Sequence, residues 1–334
     1  MTLRTCARLA ALVALLPAAV LAEKTPSTAL LVLSKGDHTL AIVDPANLKV
    51  VARTPSGPDP HEVIASEDGK MAYISNYGGG AYNTLTIVDL IAQKTSETMD
   101  LGGLRGPHGL AAAGGKIWFT AEAAKAAGRY DPAAHKIDWV LGTGQDRTHM
   151  IFVFDDLARI VTSNISSATM TIADKHQGRS PEGEWSETVV PVGKGAEGFD
   201  VSPDRKKIWA ANAGEGTISI IDVAEKKVVQ TVDAGVKTAN RLKFTPDGKL
   251  VFVSALRSPD VTVVDTAKRE VKKRVKVGSG AAGIQMQPDG PRVFVACTPD
   301  DYVAIIDLKS LEVTGHLDAG KGPDGMAWVA AKGR

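Results

Sequence analysis

The chain has 334 residues and a formal net charge of +1 at neutral pH; 44% of its residues are hydrophobic and only 5% are aromatic. A charge near zero with scattered lysines argues against a nucleic-acid-binding protein and against a polybasic membrane anchor. The two cysteines are Cys6 and Cys297. Removal of a leader that contains Cys6 would leave no intramolecular disulfide, so an apolar core must hold the fold together.

The first 22 residues predict a secretory signal peptide. Arg4 and Arg8 precede an apolar run, and the small residues of "VLA" come directly before Glu23. This order of charged, apolar and small segments is typical of an export signal, and the apolar run is too short to span a bilayer. We therefore expect cleavage near Ala22, a single domain over residues 23–334, and a periplasmic or secreted protein with no membrane span.

One short pattern then recurs seven times along the chain. Each copy is a run of β-branched or apolar residues that ends in aspartate, as in "LAIVD" and "TISIID", with weaker copies at "AGRYD" and "MTIAD". The terminal aspartates recur every 42–48 residues, at Asp44, Asp89, Asp131, Asp174, Asp222, Asp265 and Asp307. This period is typical of the four-stranded blades of a β-propeller.

The ends of the chain complete this pattern. A full unit such as the one from Gly195 contains four short strand-like segments separated by Pro, Asp, Gly and Asn. The N-terminal unit lacks its first strand, and "GPDGMAWVA" from Gly322 supplies a first strand without successors. We therefore predict an all-β fold, a seven-bladed β-propeller of four-stranded blades, closed by a C-terminal strand that completes the N-terminal blade. Insertions at Gly78 and Lys175 are expected to be surface loops, the second long enough to cap one mouth of the ring.

Two segments, "YISN" before "TLTIVD" and "WAAN" before "TISIID", resemble the YVTN-type β-propeller repeat of exported bacterial proteins. The resemblance implies a periplasmic or surface-associated propeller. The unit beginning "GPHGLAAAGG" is similar, more weakly, to streptogramin lyase propellers. The catalytic blade of that family pairs a glutamate and a histidine two residues apart, a pair that this sequence lacks, so no catalytic residue is assigned. Similarity to lactonase propellers and to the haem d1 domain of nitrite reductases is at the level of the fold.

Alignment of the units on their terminal aspartates brings seven positions into register. His149, Glu197, Asn240 and Ala282 each precede their aspartate by 25 residues. His61 and His108 occupy the same place after allowance for loop length, and Asp324 does so in the closing strand. Each of these residues is predicted to begin the innermost strand of its blade, so together they would surround one mouth of the central channel. The ring is His61, His108, His149, Glu197, Asn240, Ala282 and Asp324.

The ring residues suggest binding chemistry. His61, His108, His149 and Glu197 offer imidazole and carboxylate ligands for zinc or another divalent metal, a candidate cofactor. The same groups could act as general acid and base, and a polar mouth could also hold only water. A second ring of Asn76, Asn164, Asn212, Ala255 and Cys297 ends the second strands, where turn formation explains asparagine. His38, His135, His176 and His316 are expected to face solvent.

These observations support three functional hypotheses. The first is an exported propeller that binds a small molecule, a metal or a protein partner through His61, His108, His149, Glu197, Asn240 and Asp324, without assignable catalysis. The alternative is a metal-assisted hydrolase or lyase that uses the same cluster. The third is a scaffold that acts through the outer blade edges. The sequence favours the first, because a nucleophile, a base and an orienting group cannot be assigned together.

Overall fold

The computed structural model describes residues 23–178 and 183–330. The predicted signal peptide lies outside these residues, and the assignment of residues 23–334 to a single domain stays a prediction. The described chain contains 28 strands and two short 3-10 helices, Gly78–Gly80 and Thr298–Asp300. None of its helices is long and apolar enough to cross a membrane.

The strands of the first half of the chain are, in order, β1 (Thr28–Ser34), β2 (Thr39–Asp44), β3 (Lys49–Pro55), β4 (Pro60–Ala65), β5 (Met71–Asn76), β6 (Thr84–Asp89), β7 (Lys94–Asp100), β8 (Pro107–Ala113), β9 (Lys116–Ala121), β10 (Ala126–Asp131), β11 (Lys136–Gly142), β12 (Thr148–Val153), β13 (Arg159–Asn164), β14 (Thr169–His176) and β15 (Glu184–Pro191). The second half continues with β16 (Ala196–Val201), β17 (Lys207–Asn212), β18 (Thr217–Asp222), β19 (Lys227–Asp233), β20 (Ala239–Phe244), β21 (Leu250–Ala255), β22 (Asp260–Asp265), β23 (Glu270–Lys276), β24 (Ala281–Met286), β25 (Arg292–Cys297), β26 (Tyr302–Asp307), β27 (Glu312–Leu317) and β28 (Pro323–Ala330).

These strands form seven four-stranded antiparallel sheets, as the repeat predicts. We number the blades in chain order: blade 1 is β4–β7, blade 2 is β8–β11, blade 3 is β12–β15, blade 4 is β16–β19, blade 5 is β20–β23 and blade 6 is β24–β27. Blade 7 combines both ends of the chain in the order β28-β1-β2-β3. Leu31 of β1 lies opposite Ala327 of β28. The predicted closure of the ring by the C-terminal strand is therefore confirmed.

The core lies between neighbouring blades. Each blade packs against two others, so its middle strands are buried on both faces and read as continuous apolar runs. Leu31 and Leu40 of blade 7, for example, pack against Val63 and Ile74 of blade 1. The outermost strands alternate between exposed and partly buried positions, because only one of their faces meets another blade.

The repeated aspartates have a structural role in the turns between the third and fourth strands. The Oδ1 atom of Asp222 accepts hydrogen bonds from the backbone amides of Ala224 and Glu225, each at 2.9 Å. Lys226 then adopts a left-handed backbone with φ of 52°. Asp89, Asp131, Asp265 and Asp307 bind their own turns in the same way. The repeated aspartates, the strongest pattern in the sequence, thus stabilise turns and are not part of the functional site.

The insertion at Lys175 extends the hairpin of β14 and β15, with Lys175 opposite Trp185 and His176 opposite Glu184. This hairpin lies at the end of blade 3 opposite the ring residues, and Trp185 packs on Trp139 of blade 2 at 5.1 Å between ring centroids. The described part of the insertion therefore does not cover the histidine-bearing mouth. The insertion at Gly78 contains the first 3-10 helix and follows β5 at that mouth.

Candidate functional site

The seven predicted ring residues line a single cavity of about 560 Å³ at one mouth of the channel. His61, His108 and His149 come from blades 1, 2 and 3, and Glu197 from blade 4 follows them. Asn240, Ala282 and Asp324 complete the ring from blades 5, 6 and 7. The structure thus brings together every residue that the repeat alignment placed at this mouth.

An irregularity at the start of each innermost strand positions the ring residues. In blade 2, Pro107 lies opposite Ala121 but Leu110 lies opposite Phe119, so His108 and Gly109 face one residue of β9. The other six blades show a register shift at the same place. Such bulges redirect side chains. A Cβ atom on Gly109 would lie 2.6 Å from the carbonyl oxygen of His149, so the close approach of blades 2 and 3 requires glycine there.

A hydroxyl group ties the backbone of each histidine-bearing strand to the next blade. The amide of Gly109 donates to Oγ1 of Thr120 at 2.9 Å, and this hydroxyl donates to the carbonyl of His149 at 2.5 Å. Equivalent bridges run from Ser75 to the carbonyl of His108 at 2.8 Å and from Ser163 to that of Glu197 at 2.7 Å. The relative positions of the ring residues in blades 2 to 4 are therefore fixed by hydrogen bonds between blades.

The three imidazoles form a continuous wall of the cavity. The ring centroids of His61 and His108 are 5.0 Å apart, and those of His108 and His149 are 3.8 Å apart. Tyr77 packs edge-on against His61 at 4.8 Å and against His108 at 5.1 Å. The predicted convergence of the histidines is thus tight enough for ring-to-ring contact.

Glu122 organises one end of this wall. Its Oε1 atom accepts a hydrogen bond from Nδ1 of His149, and its Oε2 atom accepts bonds from the Tyr77 hydroxyl at 2.5 Å and from Nε of Arg147 at 3.3 Å. Burial by itself would raise the pKa of Glu122, but the bonds and charges of these three partners together outweigh it and lower the pKa to about 2. Glu122 is therefore ionised at neutral pH.

The surroundings of the two imidazoles beside Glu122 act on their pKa values in opposite directions. Burial acts to lower the pKa of His149, but the carboxylates of Glu197 and Glu122 outweigh it and raise that pKa. Nε2 of His149 lies 3.3 Å from Oε1 of Glu197. Burial, and then the charges of His149 and His61, hold the pKa of His108 well below its ordinary value. His108 is therefore neutral, and its buried Nδ1 atom has no hydrogen-bond partner in the described part of the chain.

Several charged side chains surround His61 at the other end of the wall. Lys35 Nζ donates to Nε2 of His61 at 2.7 Å and lies 3.4 Å from Oδ1 of Asp59 and 3.5 Å from Oδ2 of Asp324. Burial and the nearby charge of Lys35 lower the pKa of His61 to about 3. Burial raises the pKa of Asp324 to about 6, although Lys35 and Arg241 act against it.

An ion pair lies between this cavity and a second one of about 330 Å³ further down the channel. Arg241 of blade 5 donates to Oε1 of Glu62 in blade 1, with Nε at 3.0 Å, from across the ring. Arg241 lines both cavities. Arg241 is therefore the member of the pair that contacts the histidine-bearing mouth, and Glu62 lines only the second cavity.

The remaining side of the cavity is mainly apolar. Leu256, Ala282 and Pro299 line it together with Gly280. Leu256 is 47% exposed, one of the large apolar side chains of the described residues that meet solvent. The mouth thus has a polar wall of histidines and an apolar wall opposite. A pocket with apolar walls and a few polar groups is typical of small-molecule sites.

Two charged residues of the site adopt an uncommon backbone conformation. The residue two positions before each ring residue has a positive φ, and in four blades it is glycine: Gly106, Gly195, Gly280 and Gly322. In blades 1 and 3 it is Asp59, with φ of 42°, and Arg147, with φ of 57°. Their side chains contact Lys35 and Glu122 respectively. Thr238 of blade 5 has φ of 58° at the same place, so the positive φ belongs to the repeated turn.

Sequence reasoning missed several members of the site. Lys35, Tyr77 and Glu122 each follow directly after the second strand of a blade, in three consecutive blades. That common position, one residue beyond the second ring, was an available signal. The carboxylate that groups with His108 and His149 within metal-ligand reach is Glu122. His61 and Glu197, the other members of the predicted metal set, also line the mouth, and that metal set stays a prediction.

The other sequence-derived assignments can be placed as well. The amide group of Asn76 donates to Thr84 at 3.0 Å and to Thr86 at 2.9 Å, and Asn164 and Asn212 bind hydroxyls of their third strands in the same way. These asparagines brace strands, so the turn explanation for them is wrong. Cys297 is buried, and burial raises its pKa to about 12. His38, His135, His176 and His316 are exposed, as expected.

Comparison with known proteins agrees with the architecture. Residues 202–326 match the family model described as the cytochrome D1 heme domain. No curated protein matches the chain in sequence. The chain is a repeat-built β-propeller. This match and the structural neighbours confirm the predicted resemblance to repeat propellers at the level of their shared architecture.

Solved structures with the same fold differ widely in sequence. A functionally unknown protein from Desulfotomaculum acetoxidans is 12% identical, with a TM-score of 0.74 over 90% of this chain and 98% of that chain. Kuenenia stuttgartiensis hydrazine synthase is 18% identical, with a TM-score of 0.66 over 81% and 90%. Dihydro-heme d1 dehydrogenase NirN, in complex with DHE, is 17% identical, with a TM-score of 0.66 over 94% and 78%. At such identities the similarity concerns the fold alone.

Proposed function

We propose that this chain is a ligand-binding β-propeller and that its binding site is the histidine-bearing mouth. The observation that carries the proposal is the convergence of His61, His108 and His149, with Glu197 and Asp324, on one cavity of about 560 Å³. A cavity of this size suits a small molecule, and a few converging polar groups are what fix the orientation of such a ligand. Catalysis forms no part of the proposal.

The two walls of the cavity indicate the chemistry of the ligand. The histidine wall offers nitrogen atoms and a charged Lys35, which suit a metal-bearing or carboxylate-bearing end. Leu256, Ala282 and Pro299 opposite suit an apolar body. Exposed apolar side chains grouped at a concave site mark surfaces that a ligand covers. We therefore propose a ligand with an apolar body and a polar or metal-bearing end.

A haem-type tetrapyrrole is the class that fits this description best. The family model of the cytochrome D1 heme domain matches residues 202–326, which include Asn240 and the apolar wall. A neighbour with the same fold is a dihydro-heme d1 dehydrogenase in complex with DHE. These similarities support a tetrapyrrole as the ligand class of this chain. The histidines and the apolar side chains that line the mouth offer matching contacts.

Titration with ferric protoporphyrin IX tests the proposal, with binding followed by visible absorption. We expect saturable binding by the wild-type protein, weakened about ten-fold or more by Leu256→Asp, because a carboxylate would replace an apolar contact; ten-fold equals about 1.4 kcal/mol. Val229→Asp is the matched control, since Val229 is 42% exposed on the outermost strand of blade 4. Equal affinities for the two variants, or no saturable binding by the wild type, would contradict the proposal.

We also propose that the protein is exported to the periplasm or secreted. The support is the leader of residues 1–22, in which Arg4 and Arg8 precede the apolar run. N-terminal sequencing of protein recovered outside the cytoplasm should begin at or near Glu23. Recovery of exported protein that still begins with Met1 would exclude cleavage of this leader.

A further inference from the structure

The geometry points to a mononuclear site for a divalent transition metal, made by His108, Glu122 and His149. One ligand atom from each residue lies within 4.8 Å of the others, and all three residues are buried. Two imidazoles and one carboxylate are a donor set of zinc and of non-haem iron(II) centres. The inference adds a metal ion to the proposed binding site. It rests on the proposed function only in that the ion would lie at the same mouth.

The spacing of the ligand atoms is close to what one ion requires. Ligands at about 2.0–2.2 Å from a tetrahedral ion lie roughly 3.4 Å from one another. Glu122 already contacts His149 directly, and the ring of His108 stacks on that of His149 at 3.8 Å between centroids. An ion bound by all three donors would replace the proton of the Glu122–His149 hydrogen bond, and the three donor atoms would then lie roughly 3.4 Å apart.

His108 gives independent evidence that this position takes a ligand. Its side chain is almost fully buried, between the rings of His61, His149 and Tyr77. Its Nδ1 atom makes no hydrogen bond within the described residues. A buried polar atom without a partner costs about 1–3 kcal/mol, and native structures contain few of them. Coordination of a metal would satisfy this atom.

The surroundings of Glu122 are those of an oriented ligand. The Tyr77 hydroxyl and Nε of Arg147 both donate to its Oε2 atom, which leaves Oε1 directed at His149. Outer partners of this kind fix the orientation of coordinating groups. The hydroxyl bridges of Ser75 and Thr120 hold the backbones of His108 and His149 in addition.

The site is open on one side. His108 and His149 line the mouth cavity, which provides an entry path for the ion. Glu197 lies 3.3 Å from Nε2 of His149, and the ring of His61 lies 5.0 Å from that of His108. An ion at this place would be accessible from the cavity, where a group of an incoming ligand could contact it.

Metal titration of the full-length protein, after treatment with a chelator and dialysis, tests the inference. We expect one equivalent of Zn²⁺ to bind in calorimetry and one equivalent of Co²⁺ to give visible ligand-field bands that Zn²⁺ abolishes. His108→Phe and Glu122→Gln should each weaken Zn²⁺ binding by more than about 100-fold, beyond the effect of losing an outer partner. His316→Ala, which removes an exposed histidine, should leave the isotherm unchanged.

His108→Phe is the decisive variant, because it keeps a planar ring in the stack and removes no side-chain hydrogen bond that His108 makes within the described residues. Circular dichroism should confirm that it folds even if Glu122→Gln does not. Equal Zn²⁺ isotherms for His108→Phe and the wild type would overturn the inference, as would an absence of stoichiometric binding by the wild type. Loss of binding in Glu197→Gln but not in Glu122→Gln would also overturn it, in favour of Glu197.

The two proposals for the mouth can fail separately. Leu256→Asp should lose affinity for ferric protoporphyrin IX and keep its affinity for Zn²⁺, since Leu256 lies on the apolar wall. Zn²⁺ binding without tetrapyrrole binding would leave the metal site standing and remove the proposed ligand class. Tetrapyrrole binding without Zn²⁺ binding would support the proposed ligand class and overturn the metal site.

Discussion

Two carboxylates of the mouth illustrate how neighbouring side chains decide charge in a buried site. Glu122 and Asp324 are both buried, and burial favours the neutral form of each. Three donors surround Glu122, and its pKa falls to about 2. Asp324 has Lys35 at 3.5 Å as its nearest cation, and its pKa rises to about 6. The contributions of these two carboxylates to stability therefore depend on pH in opposite directions.

Replacement of Asp324 by Asn should change the pH dependence of stability. The pKa of Asp324 rises from 3.8 to about 6 on folding. Its contribution to stability is therefore fully present below pH 3.8 and is lost as the pH rises through 6. Because Asn does not titrate, the free energy of unfolding of Asp324→Asn should rise relative to wild type between pH 4 and pH 6, by roughly 1–3 kcal/mol.

Urea unfolding at pH 4, 5, 6 and 7 measures this difference. Asp289→Asn, the same change of side chain at an exposed turn, is the control. Parallel curves for Asp324→Asn and wild type would show that Asp324 does not titrate in this range in the folded protein.

At the scale of single elements, the innermost strand and its hydroxyl bridge determine the shape of the mouth. Ser75, Thr120 and Ser163 make the bridge in blades 1 to 3, and Ser254 makes it in blade 5. Blades 4 and 6 have Ala211 and Ala296 at this place, which have no hydroxyl. The bridges are thus continuous where the three histidines lie and interrupted beyond them.

Replacement of Thr120 by Ala should destabilise the protein by about 1–3 kcal/mol. The amide of Gly109 and the carbonyl of His149 would both lose their partner inside the protein. Thr120→Ser keeps the hydroxyl and is the matched control, with a cost that should stay below that of Ala. Denaturant unfolding gives both values. If Ala and Ser proved equally well tolerated, the bridge would have no energetic role.

The sequence predicts the elements well because their pattern repeats. Turn aspartates and β-branched runs recur at a fixed period, so strand order, the ring of His61, His108 and His149, and the closing strand all follow from register. Glu122 did not follow, because the residues at the equivalent position of blades 7 and 1 are Lys35 and Tyr77, which share no side-chain chemistry with it. The Arg241–Glu62 pair joins residues 179 positions apart. Such a contact depends on the curvature of the whole ring.

For the whole molecule, stability depends on the closing strand. β28 pairs with β1 and also packs against the innermost strands of blades 1 and 6. Deletion of residues 322–334 should expose buried side chains of β1 such as Leu31 and Val32, each worth about 1.5–3 kcal/mol. We expect the truncated chain to lose cooperative thermal unfolding and to aggregate.

A peptide of residues 322–330 provides the matching test of mechanism. Added to the truncated chain, it should restore cooperative unfolding, because it can pair with β1 as the missing strand does. Cooperative unfolding of the truncated chain near the full-length temperature, without peptide, would exclude the closing strand as the determinant of stability.

The ion pair of Arg241 and Glu62 has a kinetic consequence for anything held in the mouth. Arg241 lines both the mouth cavity and the second cavity and pairs with Glu62 across the ring, so we expect a bound molecule to exchange with solvent on the histidine-bearing face. Association and dissociation then share one route, and the residence time of the ligand depends on that face alone. A large molecule that docked over the opening would slow both steps by the same factor. The lifetime of the complex would lengthen while its equilibrium affinity stayed the same.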